Sequence, residues 1–106
     1  MALAQKHRLS KKDLDRVFKT GRTIRGGFSF VRFRENELGY GRVAVVVPSK
    51  ISKKSAVRNR IKRIVLEAIR AGNTLKQPLD LVLVITSDIR EMNFAEIKRE
   101  IERVIG

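Results

Sequence analysis

The chain has 106 residues, 42% of them apolar, and 24 Lys/Arg against 11 Asp/Glu for a net charge of +13. That size predicts one folded domain, 1–106, with a modest core, and a domain so basic points to a polyanionic partner. The lack of cysteine excludes disulfides and thiolate metal sites, the lone His7 excludes histidine triads and clusters, and apolar runs such as "VAVVV" and "LVLVI" are too short to cross a bilayer.

The N-terminus "MALAQKHR" has no secretory apolar core, which makes the cytoplasm the expected location, and His7 reads as an exposed terminal residue. Ser10 opens a helix over 11–19, with Asp13 completing a variant capping box and Leu9 and Leu14 a hydrophobic staple. Leu14, Val17 and Phe18 form its apolar stripe, and Gly21 ends it in the left-handed conformation. "FSFVRF" (28–33) reads as a strand, preceded by a short one at "TIR" (23–25). "ENELGYG" is a turn, "RVAVVV" (42–47) a buried strand stopped by Pro48, and "SKISKKS" a basic loop. Residues 56–70 make a helix on the spacing of Val57, Ile61, Ile64, Val65 and Ala68, closed by Gly72-Asn73. "LDLVLVIT" (79–86) is another buried strand. Asn93 caps a last helix, with Glu96 and a Met92–Ile97 staple. Its inner face is Phe94, Ile97, Ile101, Val104 and Ile105. The order predicts an α+β sandwich with the helices on one side of a largely antiparallel sheet.

The charge is unevenly placed: net +8 over 1–34, −1 over 35–48, +7 over 49–70 and −1 over 71–106. Within "KKSAVRNRIKR" (53–63) six of eleven residues are basic and none is acidic. On a wheel of about 100° per residue, Ile61, Ile64 and Ala68 fall close to Val57, while Arg58, Asn59, Arg60, Lys62, Arg63 and Arg70 fill the other arc. An apolar face thus docks the helix and holds the basic face outward. Charges at fixed spacing match phosphates in a way that a flexible tail does not, and Arg adds bidentate forks. The plain alternative, a solvated helix face, normally pairs both signs, and here one sign stands alone.

"KKSAVRNRIKR" resembles the signature of the protein subunit of bacterial ribonuclease P, an Arg-Asn-Arg motif followed by a basic pair; here these are Arg58-Asn59-Arg60 and Lys62-Arg63. "DRVFKTG" (15–21), "VAVVVPSK" and "DLVLVIT" resemble other parts of that family, so the likeness runs over roughly 9–104. It implies an α-β-β-β-α-β-α two-layer sandwich, a ribosomal-protein-like fold with a left-handed βαβ crossover. It also implies a protein that works with a catalytic RNA to remove the 5′ leader of precursor tRNA. The chemistry would belong to the RNA and its Mg²⁺, with no catalytic residue, metal site or cofactor in the chain, which would join the RNA as a monomer in a 1:1 complex.

Carried onto this sequence, the resemblance assigns Arg58, Asn59, Arg60, Lys62 and Arg63, with Lys53 and Lys54 nearby, to the catalytic RNA. It assigns Leu14, Phe18, Phe28, Phe30 and Arg32 to a leader cleft between the sheet and the first helix, where aromatic stacking and phosphate pairing suit a single strand. Leu14 stands where relatives often have an aromatic. Leu66 falls opposite the core where many are basic, so that either an RNA contact is missing or the helix buries more than one face. On spacing alone Phe18 is a core residue. Phe28 and Phe30 share one strand face, Val31 and Phe33 the other, so at most one pair is free for a cleft. Asp13 and Asp15 are a weak metal pair, since acids are favoured at helix starts in any case. Two further readings compete. A ribosomal protein of similar fold would bind rRNA by charge but leaves the Arg-Asn-Arg helix and Phe18 unexplained. A DNA-binding module would need a helix-turn-helix partner, and a strand and Pro48 stand there instead.

Overall fold

The structure, a computed structural model, describes residues 3–105. Its elements are α1 (Lys11–Thr20), β1 (Arg22–Arg25), β2 (Ser29–Glu35), β3 (Arg42–Val46), α2 (Ser55–Ala71), β4 (Leu79–Ile85) and α3 (Phe94–Ile105), with 3-10 turns at Gln5–His7 and Thr74–Lys76. This is the expected α-β-β-β-α-β-α order. The caps explain two starts. Ser10 Oγ accepts from the Asp13 N–H at 3.2 Å and donates to the Asp13 carboxylate at 2.9 Å. The Asn93 side chain accepts from the Glu96 N–H while Glu96 accepts from the Asn93 N–H, a reciprocal capping box.

The four strands lie in the order β1-β2-β4-β3. β1 pairs with β2 and β2 with β4, both antiparallel; β3 pairs with β4 in parallel, so α2 is carried on the crossover between them. β4 is buried nearly throughout because it is central and covered on both faces, which is why its sequence is apolar without alternation. Alternation in the register then sorts the two faces. Val31, Phe33, Val43, Val45, Leu81, Leu83 and Ile85 join Ile61, Val65, Ile69, Ile97 and Ile101 in the main core under α2 and α3. On the other face, Val82 and Val84 pack with Val17, Leu9, Leu14, Phe30 and Val46.

The second face corrects the expectation that all helices share one side: α1 covers the face opposite α2 and α3. Polar contacts fix it there. Asp80, 5% exposed, accepts two bonds from the Arg42 guanidinium, at 2.9 and 2.7 Å, and one from Asn36 Nδ2 at 2.9 Å. The remaining Arg42 arm donates to Asp13 at 2.9 Å. One arginine thus joins β3, β4 and the start of α1. The Asp80 bond and charge raise the Arg42 pKa. At the far end of α1, Arg34 donates to Thr20 Oγ1 at 3.0 Å.

Two local expectations change. Gly21 is extended, with φ −80° and ψ 171°, rather than left-handed. Its need is space: a Cβ there would stand 2.5 Å from the Val17 carbonyl oxygen and 2.7 Å from that of Phe33. His7 is half-buried instead of exposed, its Nδ1 2.7 Å from the Gly41 carbonyl and its ring edge-on to Tyr40.

Candidate nucleic-acid interface

α2 is held by Ile61, Val65, Ala68 and Ile69, all at most 1% exposed. Burying each of the larger ones is worth about 1.5–3 kcal/mol. Like-charged neighbours three or four apart, such as Arg58 with Lys62 and Arg60 with Arg63, cost only about 0.2–0.5 kcal/mol each. Packing therefore wins, and the helix carries its repulsive face as a fixed array. Asn59, Arg60 and Arg63 are exposed and Lys62 is half-exposed. Among the described residues, none of Arg58, Arg60, Lys62 and Arg63 makes a salt bridge; the one ion pair on this helix is Arg70–Glu67, at 2.6 Å.

The start of α2 breaks a local rule. Lys54 stands at the cap without a side-chain capping bond, and the first turn holds no acid. Free N–H groups and the positive end of the helix dipole ordinarily draw an acidic or hydroxyl cap. Lys53 and Lys54, both exposed, instead add positive charge at this end. Arg58 is less outward than its wheel position suggests: it is half-buried, and one guanidinium arm donates to the Ser52 carbonyl at 2.9 Å, tying the basic loop to the helix.

A second surface lies on the α1 face of the sheet. Because α1 is pinned near Arg42, Asp80 and Arg34, it crosses one end of that face, and the row Phe30, Val84, Val46 lies toward the other end. Val17 is fully buried beneath α1, while the next side chain, Phe18, turns outward and is 37% exposed. The Arg32 guanidinium carbon stands 5.9 Å from the Phe18 ring centroid, within cation–π range. Arg32 is held by bonds to Thr23 Oγ1 at 2.8 Å and the Gly21 carbonyl at 2.9 Å. Phe18 and Arg32 are thus in contact on the α1 face, and Phe30 lies on the same face against the Val17–Val82–Val84 cluster.

Two expected cleft residues are placed otherwise. Phe28 is 4% exposed and belongs to the main core. It precedes β2, in the bend after Gly26, so strand alternation does not extend to it and it does not share a face with Phe30. Leu14 packs on the Val17–Val82–Val84 cluster between α1 and the sheet. Leu66 is half-buried against the main core, where α3 packs beside α2, so this helix does bury more than one face. The sequence reading missed the Arg42 junction and placed Phe94 in the core, whereas it is 43% exposed. No group of three His, Cys, Asp or Glu side chains suited to a metal ion occurs among the described residues, and no helix among them is long and apolar enough to cross a membrane.

A docked helix whose Arg58–Arg63 cations have no acidic partner among the described residues, together with an exposed phenylalanine beside an arginine on the opposite sheet face, on one small α+β fold, is the pattern of an RNA-binding protein. The Ribonuclease P family model matches residues 3–106. The Ribonuclease P protein component of Azoarcus sp. is 33% identical over 101 residues, covering 94% of this chain and 84% of its own. That of Caldanaerobacter subterraneus is 35% identical over 95 residues, covering 89% and 81%. The chain belongs to the Ribonuclease P family. The RNase P protein from Thermotoga maritima superposes with a TM-score of 0.83 at 25% identity, over 92% of this chain and 94% of that one. A Staphylococcus aureus RNase P protein structure shares the fold with a TM-score of 0.76 at 22% identity, over 92% and 91%.

Proposed function

We propose that this chain is the non-catalytic protein subunit of ribonuclease P, gripping the catalytic RNA with α2 and holding the 5′ leader of precursor tRNA in the α1 cleft. The observation that carries the reading is the rigid face of Asn59, Arg60, Lys62 and Arg63, which has no acidic partner among the described residues. Phosphates brought against it replace released counterions, and the spacing fixed by Ile61 and Val65 sets which phosphates are met. Phe18 offers a stacking plate for a leader base, with the Arg32 charge behind the ring and Leu14 and Phe30 shaping the wall; this suits a single strand read with little sequence demand. A ribosomal-protein reading would leave that second surface without a ligand.

Catalysis is assigned to the RNA. The chain's single histidine faces a backbone carbonyl, it has no cysteine, and its described carboxylates do not gather into a metal site. In this reading the Mg²⁺ and the cleavage chemistry belong to the RNA, and this chain's residues bind and orient. The protein acts by screening repulsion between the two RNAs and by orienting the leader. A single domain, a 1:1 complex and a cytoplasmic location complete the proposal. The test is reconstitution with ribonuclease P RNA. RNA-free protein should cut nothing. Arg60→Ala should weaken assembly. Phe18→Ala and Phe30→Ala should reduce the preference for long-leader precursor over mature tRNA, at about 1–3 kcal/mol per stacked base. Full leader preference in both folded variants would refute the cleft.

A further inference from the structure

Helical spacing puts Phe94 with Ile97 and Ile101 on the inner face of α3, yet the two isoleucines are 1% and 2% exposed and Phe94 is 43% exposed. It is the first residue of α3, so it projects past the apolar contact with α2. There it lines a depression of about 470 Å³ with Arg60, Arg63, Ile64 and Glu67 of α2. Those four stand at i, i+3, i+4 and i+7, one stripe along the helix flank. Glu67 does not neutralise the stripe, because its carboxylate is taken by Arg70 at 2.6 Å. The Asn93–Glu96 capping box fixes the backbone under Phe94.

We propose that Phe94 is a stacking platform for an unpaired base of the RNA held by α2, with Arg60 and Arg63 taking the phosphates that flank that base. The inference rests on the assignment of α2 to the RNA and adds α3 to that interface. Charge selects the occupant. An apolar ring beside two arginines that have no acidic partner among the described residues fits a base with its phosphates, whereas a second copy of this chain would bring its own surplus of +13. Of the five phenylalanines, Phe18 and Phe94 are the exposed ones, and each stands beside arginine.

The chain contains no tryptophan, so Phe94→Trp supplies a single indole reporter. Its fluorescence should be quenched as ribonuclease P RNA is added and saturates; unchanged emission at saturating RNA overturns the proposal. Phe94→Ala should lower affinity about 5- to 150-fold, the equivalent of about 1–3 kcal/mol at 1.4 kcal/mol per tenfold, without changing the salt dependence. Phe94→Tyr should restore the affinity and Phe94→Leu should not, which separates stacking from packing and from loss of fold. Wild-type affinity for Phe94→Ala, with Arg60→Ala still flattening the salt dependence, refutes the platform and leaves the basic helix standing. An unaltered salt dependence in Arg60→Ala removes the α2 assignment itself. If Phe94→Ala changes sedimentation of the free chain and not RNA affinity, the ring is a protein contact and the proposal fails.

Discussion

Arg42→Ala isolates the junction that holds α1 to the sheet. In the native chain Asp80 keeps only 8% of its side chain exposed and Arg42 21%. The substitution removes both Arg42 bonds to Asp80 and the one to Asp13, leaving the Asp80 carboxylate with Asn36 as its side-chain partner. Breaking a buried pair on one side costs about 3–5 kcal/mol, mostly through the charge left behind. Arg42 retains some solvent, so the low end, about 3 kcal/mol, is expected. Removing both charges with Arg42→Met and Asp80→Leu should recover most of the loss, since no charge is left stranded at position 80 and Asp13 keeps Ser10 as a partner. Urea unfolding followed by circular dichroism measures each difference. A loss below about 1 kcal/mol for Arg42→Ala, or a double variant no more stable than the single, would refute the argument that a stranded carboxylate sets the cost. The leader preference of the assembled complex should fall with Arg42→Ala even where the chain stays folded, because the cleft has lost the anchor of one wall.

Three further outcomes are expected. Affinity for ribonuclease P RNA should fall steeply with salt, with a log–log slope of several units, and Arg60→Ala should flatten it by about one unit; a slope near zero across a salt titration removes the electrostatic grip. Gly21→Ala should destabilise the chain by about 1–3 kcal/mol in thermal or urea melts, because its Cβ would lie 2.5 and 2.7 Å from two backbone carbonyl oxygens; an unchanged midpoint would show that the α1–β1 connection yields at no cost. The Asp13 carboxyl is held below its ordinary value of 3.8, first by the Ser10 hydroxyl and then by the Arg42 charge, and Glu100 below 4.5, first by Arg103 and then by the Gly27 N–H. A pKa lowered in the folded state gives stability that is complete above the unfolded value and lost as pH falls through the folded one. Stability should therefore hold from neutral pH to about pH 5 and decline below about pH 4, with a shallower decline in Asp13→Asn.

Helix starts were legible because Ser10 and Asn93 carry local hydrogen-bond chemistry that needs no tertiary partner. The basic face was legible for a related reason: one helical period separates Ile61 and Val65 from Arg60 and Arg63. Which sheet face α1 would take was not. β2 offers an apolar residue to each side, Phe30 to one and Val31 and Phe33 to the other, so period two names the faces without saying what covers them. Phe28 was misplaced because the bend at Gly26 breaks the alternation before β2 begins. Phe94 obeys the α3 period and still escapes burial, since a first-turn residue can overhang the helix it is meant to meet. Arg42, Asp80 and Asp13 come from three distant elements, and the sequence held no signal that would join them.

The central place of β4 bears on how the chain reaches its working form. β4 is the last strand made, yet it is the one that pairs with both β2 and β3, supplies Val82 and Val84 to the α1 side, and supplies Leu81, Leu83 and Ile85 to the α2 side. Before it is synthesised, β2 has only the four-residue β1 as a ladder partner and β3 has no neighbouring strand. Both positively charged segments, 1–34 and 49–70, precede β4 in the chain, and without β4 the core that fixes them is incomplete. Docking of β4 must order the two surfaces in one cooperative event, a late long-range closure rather than stepwise growth from the N-terminus. A nascent or truncated chain ending before Leu79 would keep the charge and lose the geometry, so it would attract RNA without discriminating one fold of it from another.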